Sequence, residues 1–386
     1  MPLRMPALSK GVPCLILLSC LGGLFACRKS AAPSPFTTPD PDVYVLGSTG
    51  DSIVYWKNGT PVLLAADTPI TSASSIFVSG KNVYVCGTTQ GSGLLSTPKY
   101  WLNGTATALT DTTGSAATSG IFVSGSAVYA CGTVFFTSPL TVPYTTHTAP
   151  YPTAGNVAVN WKNGVAVPLP TQFYVGDYLG YGSHVYSAYT SGLFASGPDL
   201  YIAGGDHEFS PGDTSTYRFA QYWKNGVATD LDHGLVDSNA NGVDFPTTTG
   251  IFVAAEDVYV CGFETSRYPA LTFQALYWKN GIATNLTPGA FNAAAYSIYV
   301  DGQDVYAAGY QDINGVSRAT YWKNGIPTTI GNNQGPSVAN SICVGGNAVY
   351  VAGSETVGNN SYSTWWKNGV ATHLGTGGNA IGIAIQ

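Results

Sequence analysis

Charge is the scarcest property of this chain. Only 9% of its 386 residues are Asp, Glu, Lys or Arg, and the formal net charge is −6. With no basic patch, the sequence does not point to a nucleic-acid partner. Helix signals are almost missing too. No long stretch repeats its apolar residues every 3.6 positions, and 47 Gly and 23 Pro break the chain throughout, which argues against a helical fold. There is no nucleophile elbow, zinc motif, phosphate loop or Asp-box. Nor is there a disulfide framework among the seven Cys. Cys14 and Cys20 lie in an N-terminal leader and Cys27 ends it. Cys86, Cys131 and Cys261 fill one repeat position that elsewhere holds Leu46, Ala203, Ala308 or Ala352. Cys at such a position behaves as a small buried apolar residue. Equivalent positions on neighbouring repeats lie too far apart for a disulfide, whose Cα atoms must approach within about 7 Å. Cys343, inside an apolar run, reads the same way.

What the chain does have is repetition. Tyr55-Trp56-Lys57-Asn58-Gly59 returns at Tyr100–Gly104, Asn160–Gly164, Tyr222–Gly226, Tyr277–Gly281, Tyr321–Gly325 and Trp365–Gly369. A second phrase, Ile76-Phe77-Val78-Ser79-Gly80 followed by Val83-Tyr84-Val85-Cys86-Gly87, has relatives starting at Ile121, Leu193, Ile251, Ile298 and Ile342. The step from that first residue to the Tyr of the following run is always eight residues, which means a tight, fixed turn. Short β-branched and aromatic runs around Gly-rich turns are hairpins. Asn-Gly is the strongest short hairpin signal, because both turn residues need φ > 0. Each unit therefore reads as four antiparallel strands, a to d. Strands a, b and c are apolar at consecutive positions, as suits strands covered on both faces.

Repeats of this length mean a repeat architecture, and four-stranded sheets stacked face to face mean a propeller. The chain ends carry complementary halves of one unit. Val43–Leu46 matches strand b with no strand a before it, and Ile383–Gln386 matches strand a with nothing after it. The expected fold class is all-β, a seven-bladed β-propeller of four-stranded antiparallel blades, closed by pairing of the N- and C-terminal strands. A β-solenoid would not predict those complementary ends.

Residues 1–26 read as a lipoprotein signal peptide. Arg4 and Lys10 give a basic start, and the apolar run Gly11–Phe25 is short for a bilayer span. Leu24-Phe25-Ala26-Cys27 is similar to the bacterial lipobox, which makes Cys27 the expected lipid attachment. Residues 27–41, the modified Cys and a Pro-rich stretch, read as a tether, and residues 42–386 as the propeller. The expected address is the bacterial cell envelope, at the outer membrane.

Repeat variation points to a face. The a–b and c–d turns are constant, whereas the b–c and d–a connections on the other end vary in length. Four consecutive connections are enlarged, at about 133–158, 168–190, 205–219 and 230–248. Insertions on one face of a repeat protein map to a binding face. The candidate ligand-binding residues there are Tyr144, Tyr151, Tyr174, Tyr178, Tyr181, His184 and His207, since exposed aromatics offer flat faces to sugars and peptides. Asp237-Ser238-Asn239-Ala240-Asn241-Gly242-Val243-Asp244 has oxygen ligands at the first, third and fifth positions and Gly at the sixth, as an EF-hand-like loop does. Asp237, Asn239, Asn241 and Asp244 are the candidate Ca2+ ligands, although Thr248 stands where a bidentate Glu is expected. Asp206, Glu208, Asp213, Asp230 and Asp232 also fall in the enlarged connections. The repeat Trp residues, beside a constant turn, read as core between units, and the Lys after them as a solvated turn residue.

The unit Ala-x-Tyr-Trp-Lys-Asn-Gly-x-x-Thr-x-Leu with Ile-x-Val-x-Gly-x-x-Val-Tyr-x-x-Gly resembles the WKNG-type repeat lipoproteins of Bacteroidetes-like bacteria, and more distantly the HAF-type extracellular repeat. The resemblance spans residues 42–386. It implies an exported propeller and transfers no catalytic or binding residue. The functional expectation is a membrane-anchored binding or interaction scaffold for a glycan or protein. The alternative is an envelope hydrolase or lyase acting on polysaccharide, which a carboxylate pair about 5–10 Å apart in a cleft would mark.

Overall fold

A computed structural model describes residues 40–50, 52–91, 95–109, 115–136, 155–170, 185–209, 216–231, 245–266, 272–288, 292–332 and 334–386. Asp40–Gln386 forms one compact unit. The described residues contain strands and turns and no helix.

The strands fall into four-stranded antiparallel groups ordered a-b-c-d, here called units. Unit 1 takes strand a from Ala380–Ile385 and strands b to d from Val43–Thr49, Ser52–Lys57 and Thr60–Leu63. Unit 2 is Ile70–Ser79, Asn82–Gln90, Ser96–Leu102 and Thr105–Ala108. Unit 3 is Ala116–Ser124, Ala127–Phe136, Gly155–Lys162 and Val165–Pro168. Unit 4 is Val185–Ser196, Asp199–Phe209, Thr216–Lys224 and Val227–Asp230. Unit 5 is Phe245–Ala254, Asp257–Ser266, Thr272–Lys279 and Ile282–Asn285. Unit 6 is Ala293–Asp301, Asp304–Ile313, Val316–Lys323 and Ile326–Thr329. Unit 7 is Ser337–Gly345, Ala348–Val357, Asn360–Lys367 and Val370–Thr376.

By hydrogen bonding these make six sheets where seven separate ones were expected. Units 3 and 4 share an eight-stranded sheet, because strand c of unit 3 meets strand a of unit 4 in a short parallel contact, Gly155 with Tyr186 and Asn156 with Ser187. Strands a, b and c of unit 4 are the longest of their kind, so they reach past their neighbours. Residues 185–190, 205–209 and 216–219, expected in enlarged connections, are therefore strand. His207 is among them: it pairs with Ser187 and Arg218 inside the sheet and is not a loop residue.

The terminal halves of unit 1 pair as the sequence suggests. Val43 faces Ile385, Tyr44 faces Ala384 and Val45 faces Ile383. Asp42 and Gln386 exchange two backbone hydrogen bonds of 2.7 and 2.9 Å. Strand a of every unit packs on strand a of the next, and that of unit 1 touches those of units 2 and 7.

The repeat phrases acquire reasons here. Each c–d turn has Asn at φ +50 to +51° and Gly at φ +81 to +86°, the pair of left-handed residues that matches strand twist. Each turn Asn also reaches back. Asn280 Oδ1 accepts the Val258 N–H at 2.8 Å while its Nδ2 donates to Asp257 at 2.8 Å. The Lys beside it is only half exposed and not simply solvated. Lys279 lies 2.7 Å from Asp257 and 5.3 Å above the Tyr259 ring, and units 1, 4 and 6 repeat this at Lys57, Lys224 and Lys323. The Trp residues are buried between units. Trp322 of unit 6 packs with Tyr259, Cys261 and Leu286 of unit 5. The Trp101 indole N–H donates to Ala65 O, in the connection leaving unit 1, at 2.6 Å.

Candidate functional site

The site begins with an irregularity in the innermost strands. In each of the seven a strands the pairing to strand b slips by one residue at a shared position, and unit 2 slips once more at Thr71. The extra residue is Ser74, Ser119, Ser191, Thr249, Tyr296, Asn340 or Ile381. A β-bulge bends its strand and re-aims a side chain. The repeat Gly of strand b stands opposite each bulge for a steric reason. A β-carbon on Gly87, Gly132, Gly262, Gly309 or Gly353 would overlap the carbonyl oxygen of Ser72, Ala117, Thr247, Ala294 or Val338.

Five of the seven bulge side chains hydrogen-bond to the next unit. Ser74 Oγ donates to Thr118 O at 2.6 Å, and Thr249 Oγ1 donates to Ala295 O at 2.7 Å. Ser119 Oγ lies 2.6 Å from Thr190 Oγ1, and Ser191 Oγ 2.9 Å from Thr248 Oγ1. Asn340 Nδ2 donates to Ala380 O at 2.8 Å. Together the bulges surround a cavity of about 280 Å³, lined also by Ile76, Ile121, Leu193, Ile251, Ile298 and Ile383. One residue further along, Phe77, Phe122, Phe194, Phe252 and Tyr299 form a chain of touching rings, with centroids 4.4 to 4.8 Å apart. The cavity, called the cup below, thus combines hydroxyl groups with apolar side chains. In units 2 to 7 it lies at the middle of the a strands, between the end with the constant turns and the end with the b–c and d–a connections. Tyr296 adds a half-buried ring to the wall, and burial pushes its phenol up to about 12. Hydroxyls already bonded to a neighbouring strand keep lone pairs free to accept from a ligand.

A second cluster sits in unit 7. Glu355 is 1% exposed. Its Oε1 accepts the Asn332 N–H at 2.6 Å and its Oε2 lies 2.9 Å from His373 Nε2. The imidazole stacks on the Tyr362 ring, with centroids 4.6 Å apart and planes 17° apart. The buried carboxylate fixes the imidazole and pins the connection entering unit 7. Asp206 and Glu264 occupy the same strand-b position in units 4 and 5 and are likewise buried. Asp206 Oδ2 accepts from Gln221 Nε2 at 2.9 Å, so this carboxylate belongs to the sheet interior and not to an enlarged loop.

Of the residues singled out from sequence, Cys27, Tyr144, Tyr151, Tyr174, Tyr178, Tyr181, His184, Asp237, Asn239, Asn241 and Asp244 lie outside the described residues, as do Asp213 and Asp232. No group of three or more His, Cys, Asp or Glu among the described residues is arranged to hold a metal. Cys86, Cys131, Cys261 and Cys343 are free and buried. Burial pushes the Cys131 thiol up to about 11 and those of Cys86 and Cys261 up to about 12.

The bulge residues were missed in the sequence, although a signal was there. Ser119-Gly120-Ile121, Ser191-Gly192-Leu193 and Thr249-Gly250-Ile251 place a hydroxyl and a Gly at one offset before the apolar residue. Gly inside a strand pattern marks a bulge.

No family model matches this chain, and no curated protein does. Among solved structures it is similar to a puromycin-hydrolysing peptidase of Mycobacterium tuberculosis, 11% identical with a TM-score of 0.52 over 87% of this chain. The chain spans about half, 53%, of that peptidase. It is also similar to a polysaccharide lyase described as an ulvan lyase, 10% identical with a TM-score of 0.49, covering 91% of this chain and 93% of the lyase. A third likeness is to a Bombyx mori β-fructofuranosidase, 11% identical with a TM-score of 0.29, over 76% of this chain and 63% of that one. At these identities the likeness concerns the fold alone, and of these three only the peptidase, with its TM-score of 0.52, supports it. The fold is all-β and β-propeller-like, built from four-stranded antiparallel groups.

Proposed function

We propose that this chain is a lipid-anchored, seven-bladed propeller of the bacterial cell envelope that binds a polar ligand, a glycan or a peptide, in the cup, entered from the long-connection end. Seven blades in a closed ring account for the seven four-stranded groups, the cyclic packing of the a strands and the pairing of Val43–Thr49 with Ala380–Ile385. The anchor reading rests on the Leu24–Cys27 motif and the Pro-rich stretch after it, and the envelope address on the resemblance to WKNG-type lipoproteins.

One observation carries the binding reading. The a strands of seven successive units each send a bulge residue to the wall of one cavity, and the enlarged connections make the long-connection end its expected mouth. Hydroxyls, an amide and a phenol beside apolar side chains suit a ligand with hydroxyl or amide groups and one apolar face. Probing glycan and peptide arrays with the 28–386 fragment identifies the ligand. Ser191→Leu, which fills the cup, and Tyr296→Ala are each expected to weaken binding at least about tenfold, which is about 1.4 kcal/mol. If both leave binding intact while changes at Lys279 and Lys323 abolish it, the face assignment is inverted. The anchor is tested separately, since Cys27→Ser should release the protein from membranes.

A second reading, an envelope hydrolase or lyase acting on polysaccharide, draws on the Glu355–His373–Tyr362 cluster. A carboxylate-held imidazole beside a phenol is an acid–base set of the kind proton transfer needs. Polysaccharide turnover that Glu355→Gln abolishes, while the melting temperature holds, would favour it.

A further inference from the structure

The end of the domain that carries the a–b and c–d turns has a surface of its own. Across each unit, opposed residues near the turns line up in a row on one sheet face, because directly opposed residues share a face. In unit 5 the row runs Phe252, Tyr259, Lys279, Ile282. Units 3, 4, 6 and 7 end the same row on Val165, Val227, Ile326 and Val370. These five apolar side chains, the first residues after their Asn-Gly turns, are 61 to 71% exposed. They belong to consecutive units, so they form an arc along one rim. Inside the arc lie the Tyr rings with Lys ammonium groups 5.2 to 5.7 Å above them.

The chain also enters the domain on this end. Asp40 is held by Lys367 at 2.7 Å and Asp42 by Lys57 at 2.8 Å, and both lysines end strand c just before a c–d turn. From Cys27 to Asp40 the chain can span at most roughly 45 Å when fully extended. We propose that this face docks on the bilayer, with Val165, Val227, Ile282, Ile326 and Val370 entering the headgroup–acyl boundary. The proposal rests on the anchor reading, because a lipid on Cys27 is what puts a bilayer next to this end.

A bilayer fits the face better than a protein partner does. Lys and Tyr lie directly inside the apolar rim. The lysines carry an apolar stem, laid over largely buried Tyr rings, and a charged tip that can reach the headgroups. Four of the lysines are matched by Asp40, Asp199, Asp257 and Asp304 within 3.0 Å. The face is close to neutral, so its contact depends little on anionic lipid or on salt. The enlarged connections, and with them the expected mouth of the cup, then point away from the membrane, toward whatever the cup binds.

The test uses the full chain, reconstituted in phosphatidylethanolamine–phosphatidylglycerol vesicles. Ile282→Cys and Val227→Cys are labelled with an environment-sensitive fluorophore. Asn359→Cys, exposed on the opposite end, is the control. The buried native cysteines of the domain are protected from the label. The mass of the mature protein reports separately whether Cys27 carries lipid. The expected result is several-fold brighter, blue-shifted emission at positions 227 and 282 on adding vesicles, unchanged by salt, and no change at 359. Silence at 227 and 282 in a protein whose mass shows the lipid overturns the docking and leaves the anchor standing. A response at 359 inverts the face. A response at 282 without vesicles, with a doubled mass in light scattering, assigns the rim to a second copy of the chain. An unmodified Cys27 removes the anchor and the docking together.

Discussion

Repeats supply their own controls, and the split unit can be tested against an unbroken one. Ile383, on the C-terminal strand, is 6% exposed, and its equivalent Ile342 in unit 7 is 4% exposed. Both lie just after a bulge. Each backbone N–H donates at 3.2 Å to a Ser hydroxyl of the preceding unit, Ile383 to Ser341 and Ile342 to Ser297. If residues 380–385 are as firmly built in as a strand within the continuous chain, truncation to Ala should cost the same at both places. A buried Ile→Ala change costs about 2–5 kcal/mol. At about 2.1 cal/mol/K of unfolding entropy per residue, Asp40–Gln386 unfolds with about 0.7 kcal/mol per degree. Either variant should therefore melt about 3–7 °C below the parent, a shift that circular dichroism or scanning fluorimetry resolves. A shift for Ile342→Ala beside an unchanged melt for Ile383→Ala would refute the reasoning, because the C-terminal strand would then be frayed in solution and unit 1 would lack its inner strand.

Two further outcomes follow from the turns. Ala255 holds φ +54° at a turn position where units 2, 3, 4, 6 and 7 have Gly at +56 to +60°. A side chain costs about 1–2 kcal/mol in that region, partly offset by the extra freedom of Gly in the unfolded chain, so Ala255→Gly should raise the urea midpoint slightly, and a lowered midpoint would contradict the turn geometry. The carboxyls of Asp42, Asp257 and Asp304 sit below their ordinary value chiefly through hydrogen bonds from Lys57, Lys279 and Lys323, and that of Asp199 chiefly through Asn225. A depressed carboxyl stabilises fully above its unfolded value, about 3.9, and that stability is lost as the pH falls through the folded value. Converting Asp199, Asp257 and Asp304 to Asn together should therefore flatten the loss of melting temperature between about pH 5 and pH 3 relative to the parent, and an equally steep acid limb would sink the assignment.

The sequence by itself determined the all-β class, the four-stranded unit and its turns, since each rests on neighbours in the chain. Asn-Gly dictates a left-handed two-residue turn wherever it stands, and the constant eight-residue step from Ile76 to Tyr84 and its equivalents dictates a tight hairpin. Even the long-range pairing of Val43–Leu46 with Ile383–Gln386 was legible, because a half-unit at each end can satisfy its edge only with the other half. The tertiary structure decided what depends on strands from different units meeting. Ser119 and Thr249 look like ordinary polar strand residues until the bulge turns them toward the next unit and into the cup. The strand-b Gly looks like a turn residue until a carbonyl of strand a is found where its β-carbon would be. Asp206 and His207 look like loop residues until the long strands of unit 4 take them into the sheet. A one-dimensional pattern records which residues recur, but a cavity shared by seven strands is a property of their packing, which no single repeat contains.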